Sequence, residues 1–264
     1  MTHPPSNPPG INTRACAHRG DSKNAPENTL PAFLSAVDKG AHQIEFDVYL
    51  SKDGRAVVIH DATADRTTNG AGRVCELSYE ELRALDAGSW FGPAFSGALI
   101  PTLEEALDVI PPPIRINVQL KDSPGVAAAA AQTIVDMGKL EQCFLACSKE
   151  DAAIARKIAP DITICNMSGQ YGPRDEYVRR TIELRAGYIQ LVKDVDGLKE
   201  AVDVLHANGI VVNYFEAHEP AKIRQCIEAG VDFILTDDLD VCLSVLAEYG
   251  VQPVETPARK HPRD

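Results

Sequence analysis

His42-Gln43-Ile44-Glu45-Phe46-Asp47-Val48-Tyr49, then Leu50-Ser51-Lys52-Asp53-Gly54-Arg55, then Ala56-Val57-Val58-Ile59-His60 is the stretch that decides the fold. The flanking runs are apolar and β-branched, as strands are, but only six residues separate them. No helix fits into six residues that carry the Lys-Asp-Gly signature of a tight turn. The second run is therefore the return arm of a hairpin, antiparallel to an extension of the first. With that arm set aside, eight strands are read at Arg14 to His18, His42 to Tyr49, Ile114 to Leu120, Cys143 to Cys147, Ile162 to Asn166, Tyr188 to Val192, Ile210 to Phe215 and Phe233 to Thr236. Helix-period segments fill most gaps between them, including Thr29 to Lys39, Thr102 to Ile110, Val126 to Met137 and Leu198 to Asn208. Alternating strands and helices build a parallel sheet, and eight parallel strands are the count of a (β/α)8 TIM barrel.

One barrel domain over residues 14–250 suits a chain of 264 residues. Residues 1–13 and 251–264, rich in Pro, Asn and Ser or poor in apolar residues, are expected to be a flexible lead and tail. Residues 61–100 break the βα rhythm and carry the only tryptophan, Trp90. An insertion of that length on a barrel rim is expected to shape the mouth of a site.

Twenty-six Lys and Arg against 38 Asp and Glu give a net charge of −12, and no dense basic patch offsets it, which argues against nucleic acid as a partner. A small phosphate ester remains compatible, because a bound metal reverses the local sign. The sequence starts without a basic or apolar leader and has no run of about 18 apolar residues. The expectation is a cytoplasmic protein without membrane insertion; a homo-oligomer is left open. Seven cysteines without a Cys-x-x-Cys pair suggest reduced thiols, with Cys16, Cys143 and Cys165 in the core.

Barrel chemistry sits at the carboxyl ends of the strands, so the polar residues there form the candidate site. Strand one ends in His18-Arg19-Gly20, strand two carries Glu45 and Asp47, the return arm ends in His60-Asp61, and the Ile114 strand carries Asn117, Gln119 and Lys121. Glu45 and Asp47 share one face of their strand, as do Asn117, Gln119 and Lys121. Paired carboxylates suit a hard cation or an acid/base couple. Arg19 and Lys121 suit an anion, and two histidines supply a general acid and a general base. Metal, anion clamp and acid/base pair together are what phosphodiester cleavage requires.

The strings His18-Arg19-Gly20, Pro26-Glu27-Asn28-Thr29, Glu45-x-Asp47-Val48, Lys52-Asp53-Gly54, Val57-Val58-x-His60-Asp61, Asp65-Arg66-Thr67-Thr68-Asn69-Gly70, Pro101-Thr102-Leu103-Glu104-Glu105, Asn117-Val118-Gln119-Leu120-Lys121 and Gly230 to Asp237 resemble the glycerophosphodiester phosphodiesterase family over about residues 14–245. The resemblance implies hydrolysis of a small-molecule glycerophosphodiester to glycerol 3-phosphate and an alcohol, with a divalent metal, Mg²⁺ or Ca²⁺. It implies Glu45, Asp47 and Gln119 as metal ligands, His18 and His60 as the acid/base pair, and Arg19 and Lys121 on phosphate. It also implies that the neighbouring glycerol hydroxyl is the nucleophile, giving a cyclic phosphate that water opens. Which histidine acts first as base stays open.

Two departures stand out. Gln119 occupies the place of the family's usual glutamate, so weaker metal binding is expected. Asn213-Tyr214-Phe215-Glu216 replaces a late Trp-Thr-Val-Asn, which passes the stacking surface beside the substrate to Phe215 or Trp90. Glu216 is expected on the solvent-facing rim. His42, His206 and His218 are read as surface or helix-end residues, and Asp237-Asp238 with Asp240 as a helix N-terminus. Glu27 and Asn28 either cap the helix near Thr29 or join the chemistry; Asp61 either orients His60 or satisfies the hairpin backbone. Arg66 is read as a brace for the inserted segment. Two other activities remain compatible with these residues: a phospholipase D-like action on lysophospholipids, and a weakened barrel that only binds glycerophosphate.

Overall fold

The computed structural model describes residues 11–256. Most of the expected lead and tail, 1–10 and 257–264, lies outside the described residues. Nine strands are described: β1 (Arg14–His18), β2 (Gln43–Leu50), β3 (Ala56–Val58), β4 (Arg115–Leu120), β5 (Cys143–Cys147), β6 (Thr163–Asn166), β7 (Tyr188–Leu191), β8 (Val211–Phe215) and β9 (Phe233–Thr236). All but β3 are parallel, and β1 pairs with both β2 and β9, which closes the ring into a (β/α)8 TIM barrel. β3 folds back antiparallel on β2, with Val48 opposite Val58 and Leu50 opposite Ala56. Gly54 makes the turn at φ 81°, a conformation that favours glycine.

The helices are α1 (Leu30–Asp38), α2 (Tyr79–Arg83), α3 (Leu103–Val109), α4 (Val126–Asp136), α5 (Lys149–Ile158), α6 (Arg174–Glu183), α7 (Leu198–Ala207), α8 (Pro220–Ala229) and α9 (Leu239–Glu248). Their apolar faces cover the outside of the sheet. Phe33 and Val37 of α1 and Leu103 and Leu107 of α3 share a core with Ile44, Phe46, Val48, Ile116 and Val118. Burying each of these large side chains contributes roughly 1.5–3 kcal/mol.

The opposite residues of each strand point to the barrel axis, and the strand registers order them into layers. Four residues from alternate strands make one layer, as barrel shear requires. Following the pairings round the ring, the lowest of the layers traced here holds Gln43, Phe144, Tyr188 and Phe233, and the next Cys16, Asn117, Cys165 and Asn213. Above them lie Glu45, Ala146, Gln190 and Leu235, then His18, Gln119, Met167 and Phe215. Phe144 stacked on Tyr188 at 4.0 Å and His18 against Phe215 at 4.7 Å agree with this order.

The insertion, residues 61–100, packs on β3 through its own small core of Val57, Ile59, Val74, Leu82, Ala87 and Ile100. Ser78 with Glu81, and Thr102 with Glu105, form reciprocal caps on α2 and α3. Arg83 forks onto both oxygens of Glu105 at 2.7 Å and locks the segment to the barrel.

Both ends of the described stretch pack on the barrel. Thr13 donates to Val231 O and is buried, so the stretch from Ile11 is already part of the barrel. Val251 is buried and the Val254 N–H donates to Gly40 O. His42, expected near the surface, is the pin beneath this contact. Its Nδ1 accepts from the Ala15 N–H at 3.3 Å, so its Nε2–H donates to Gln252 O at 3.0 Å.

Candidate active site

Local backbone shape brings the first residues together. After β1 the chain turns through Arg19 at φ 57° and Gly20 at φ 81°. A Cβ at Gly20 would meet the Ala32 backbone at 2.8 Å, so only glycine lets α1 approach this closely. The turn leaves the Arg19 N–H donating to Glu45 Oε2 at 3.0 Å and Arg19 O accepting from the Asn28 N–H at 3.0 Å. Asn28, itself at φ 58°, turns its amide inward: Nδ2 donates to Asp47 Oδ2 at 2.8 Å and Oδ1 accepts from the Asp47 N–H at 3.2 Å. Thr29 takes the cap position of α1 without a side-chain cap bond, so neither Glu27 nor Asn28 is a cap.

Glu45 and Asp47 are fully buried on the inner face of β2, with the layer of His18 and Gln119 between theirs. Burial, followed by the charge of Asp47, pushes the Glu45 carboxyl up to about 7. Burial would also raise Asp47, but Lys121, His60 and Arg19 outweigh it and hold its carboxyl down. Lys121 Nζ lies 2.7 Å from Asp47 Oδ1 and Arg19 Nε 3.5 Å from Oδ2. Both cations expected on phosphate thus rest on the Asp47 carboxylate.

The two histidines are held alike and tuned apart. His18 Nδ1 meets Asp237 Oδ1 at 2.5 Å, and His60 Nδ1 meets Asp61 Oδ1 at 2.6 Å. Each bond leaves Nε2 for chemistry. Burial depresses His18, but the Asp237 bond and the Glu45 charge outweigh it and leave the imidazole above its ordinary 6.5. Burial depresses His60 as well, and with Lys121 beside it Asp47 does not restore it, so it stays below 6.5. Arg66 forks onto Asp61 and onto both oxygens of Glu27, which in turn accepts from Arg19 at 2.8 Å. Asp61 therefore orients His60, and Arg66 is the brace expected of it.

The remaining expected residues divide. Gln119 is beside Asp47 in register and shares the layer of His18, partly exposed. Phe215 packs against the His18 ring, tilted by 52°, whereas Trp90 makes its ring contact with Phe91 and donates to Ala87 O, both within the insertion. Glu216 is exposed on the rim. Sequence reading missed Asp237 and His218. Asp238, not Asp237, caps α9, and His218 Nε2 lies 3.7 Å from Asp237 Oδ2. Their signal was position: Asp237 follows directly on β9, and His218 stands in the short loop after β8.

Two carboxylates forced together in a buried layer suit a divalent cation, which would relieve their repulsion. Glu45 Oε1 is buried with no protein partner, the observation expected of an inward-facing ligand oxygen. Among the described residues no three His, Cys, Asp or Glu side chains form such a site, so a cation here would have Glu45, Asp47 and the Gln119 carboxamide as its donors. Oxygen donors of this kind fit Mg²⁺ or Ca²⁺.

A reaction that must remove one proton from a nucleophile and deliver another to a leaving group, around a held anion, finds both imidazoles already fixed through their second nitrogen. That is the chemistry of a barrel phosphodiesterase, a hydrolase. A family model described as the glycerophosphoryl diester phosphodiesterase family matches residues 18–241, and the chain belongs to that family. It is 34% identical over 250 residues to a glycerophosphodiester phosphodiesterase of Caldanaerobacter subterraneus subsp. tengcongensis, covering 91% of this chain and 100% of the relative. The crystal structure of a glycerophosphodiester phosphodiesterase from Agrobacterium tumefaciens superposes with a TM-score of 0.74 at 28% identity, covering 87% of this chain and 98% of that one. An Oleispira antarctica phosphodiesterase, solved in complex with the product sn-glycerol-3-phosphate, superposes with a TM-score of 0.77 at 28% identity, covering 89% and 96%.

Proposed function

We propose that the protein hydrolyses glycerophosphodiesters to glycerol 3-phosphate and an alcohol, with a divalent metal and with His18 and His60 as the acid/base pair. The observation that carries this reading is the pair of opposed His–Asp contacts beside Glu45 and Asp47. Mg²⁺ or Ca²⁺ held by Glu45, Asp47 and Gln119 would supply charge neutralisation on the phosphate oxygens. Arg19 and Lys121 place positive charge at the same spot.

The environments of the two histidines support one order of proton transfers. His60, kept neutral, takes the proton of the substrate's neighbouring glycerol hydroxyl at Nε2 while its Nδ1–H stays on Asp61. The hydroxyl oxygen bonds to phosphorus, the bond to the leaving alcohol breaks, and His18, kept protonated between Asp237 and Glu45, donates its Nε2 proton to that alcohol. In the second step His18 takes a proton from water, the water oxygen opens the cyclic phosphate, and His60 returns its proton to the glycerol oxygen.

A cleft of about 480 Å³ beside His18 is lined by Phe215, Ser22, Lys23, Glu27, His218 and Asp238. Its polar lining favours a small polar alcohol over an acyl chain. Rates on glycerophosphocholine, lysophosphatidylcholine and a diester without a neighbouring hydroxyl test the reading. Turnover of the first alone is expected; preference for the second, or fast cleavage of the third, overturns the substrate or the nucleophile.

A further inference from the structure

Two layers of the barrel interior hold polar atoms that the protein does not satisfy. Nδ2 and Oδ1 of both Asn117 and Asn213 lack a partner, although both residues are fully buried. One layer higher, Gln190 Oε1 and Glu45 Oε1 are likewise buried and unpartnered. Glu45 is beside Asn117 in register on β2 and β4, and Gln190 beside Asn213 on β7 and β8, so the pairs face one another across the axis. The other members of these layers are Cys16, Cys165, Ala146 and Leu235; three of the four are small. Phe144 and Tyr188, stacked with Phe233 beside them, floor the space.

We infer that these layers form a hydration chamber beneath the reaction centre, in which ordered water bridges Asn117, Asn213 and Gln190 and hydrogen-bonds the inner oxygen of Glu45. An unmet buried amide is costly, and six such atoms in one space call for a common ligand. The ligand must both donate and accept, because each asparagine offers an unmet donor and an unmet acceptor. A cation serves only the oxygens, and an apolar group neither. Water and a substrate hydroxyl share the required chemistry. Water is favoured, because the asparagines are sealed below the layer of Glu45, Gln190 and Leu235.

The chamber also orients Glu45. Its Oε2 accepts from the Arg19 N–H at 3.0 Å, and Oε1, with two lone pairs, takes chamber water on one and keeps the other for a cation, so both oxygens are held. This second role rests on the proposed part of Glu45 in the reaction; the chamber itself does not.

A high-resolution crystal structure of the whole chain, with and without glycerol 3-phosphate, decides the first claim. Ordered water at about 2.7–3.2 Å from Asn117, Asn213 and Glu45 Oε1, unchanged by the ligand, is expected. Dry amides paired with each other, or a glycerol hydroxyl among them, overturn it. Asn213→Leu adds a second readout: a lower Tm is expected, and a higher one would show buried amides that neither water nor a partner serves. Should that variant not fold, the wild-type density still decides. For the orienting role, Asn213→Leu lowers kcat on glycerophosphocholine several-fold with KM unchanged, since position 213 lies two layers below His18. An unchanged kcat sinks that role, while loss of all activity in the wild type would count against the reaction and not against the water.

Discussion

His18 Nδ1 and Asp237 Oδ1 are in contact at 2.5 Å, although 219 positions separate them in the chain, because β1 and β9 are neighbours in the closed barrel. The bond fixes which imidazole nitrogen carries a proton and aims the other at the reaction centre. Asp237→Asn keeps the shape and removes the charge that holds the imidazolium. Its kcat on glycerophosphocholine is expected to fall about 10- to 100-fold with KM little changed, against about 100-fold or more for His18→Ala. Equal activity of Asp237→Asn and wild type would show the contact to be structural only.

The opposed shifts of the two histidines predict a bell-shaped pH dependence. The proposed proton transfers need His60 neutral and His18 protonated. Activity rises as pH passes through the His60 value, below 6.5, and falls as pH passes through the His18 value, above 6.5. In kcat/KM profiles Asp237→Asn should move the alkaline limb to lower pH and leave the acid limb in place. Movement of the acid limb instead would reverse the two assignments.

Gln119 lacks the charge of a carboxylate beside Asp47, and hard-cation affinity rises with ligand charge. Gln119→Glu is expected to tighten Ca²⁺ or Mg²⁺ binding about tenfold, read by calorimetry without substrate. Unchanged or weaker binding would place position 119 outside the ligand set.

His42 offers a stability test away from the chemistry. Burial, against the Gln252 carbonyl bond, brings its imidazole down to about 4. The unfolded chain, with an ordinary 6.5, binds the proton first as pH falls. Stability is therefore complete above 6.5 and lost as pH drops towards 4, by roughly 3 kcal/mol at most. Urea unfolding of His42→Gln should be flatter than wild type across that window; parallel curves would contradict the buried neutral imidazole.

The elements themselves were legible because strand periodicity and short gaps leave few alternatives. β1, β5 and β9 have the bounds read from sequence, and the hairpin follows from a gap too short for a helix. Residues inside contiguous motifs, such as Glu45 with Asp47, were placed by alternation alone. What sequence could not place were partners distant in the chain. Asp237 reads as one more acid before a helix until barrel closure sets it on His18. His42 reads as a polar strand start until the chain end crosses it. Trp90 was expected at the mouth on rarity and size, but the insertion folds it onto Phe91.

The account stands or falls on metal-dependent release of glycerol 3-phosphate. Purified protein should liberate it from glycerophosphocholine with Mg²⁺ or Ca²⁺, stop in EDTA and resume when the metal is returned. Undiminished release in EDTA, or no release with either metal, would contradict the reading of Glu45, Asp47 and the two histidines as one reaction centre.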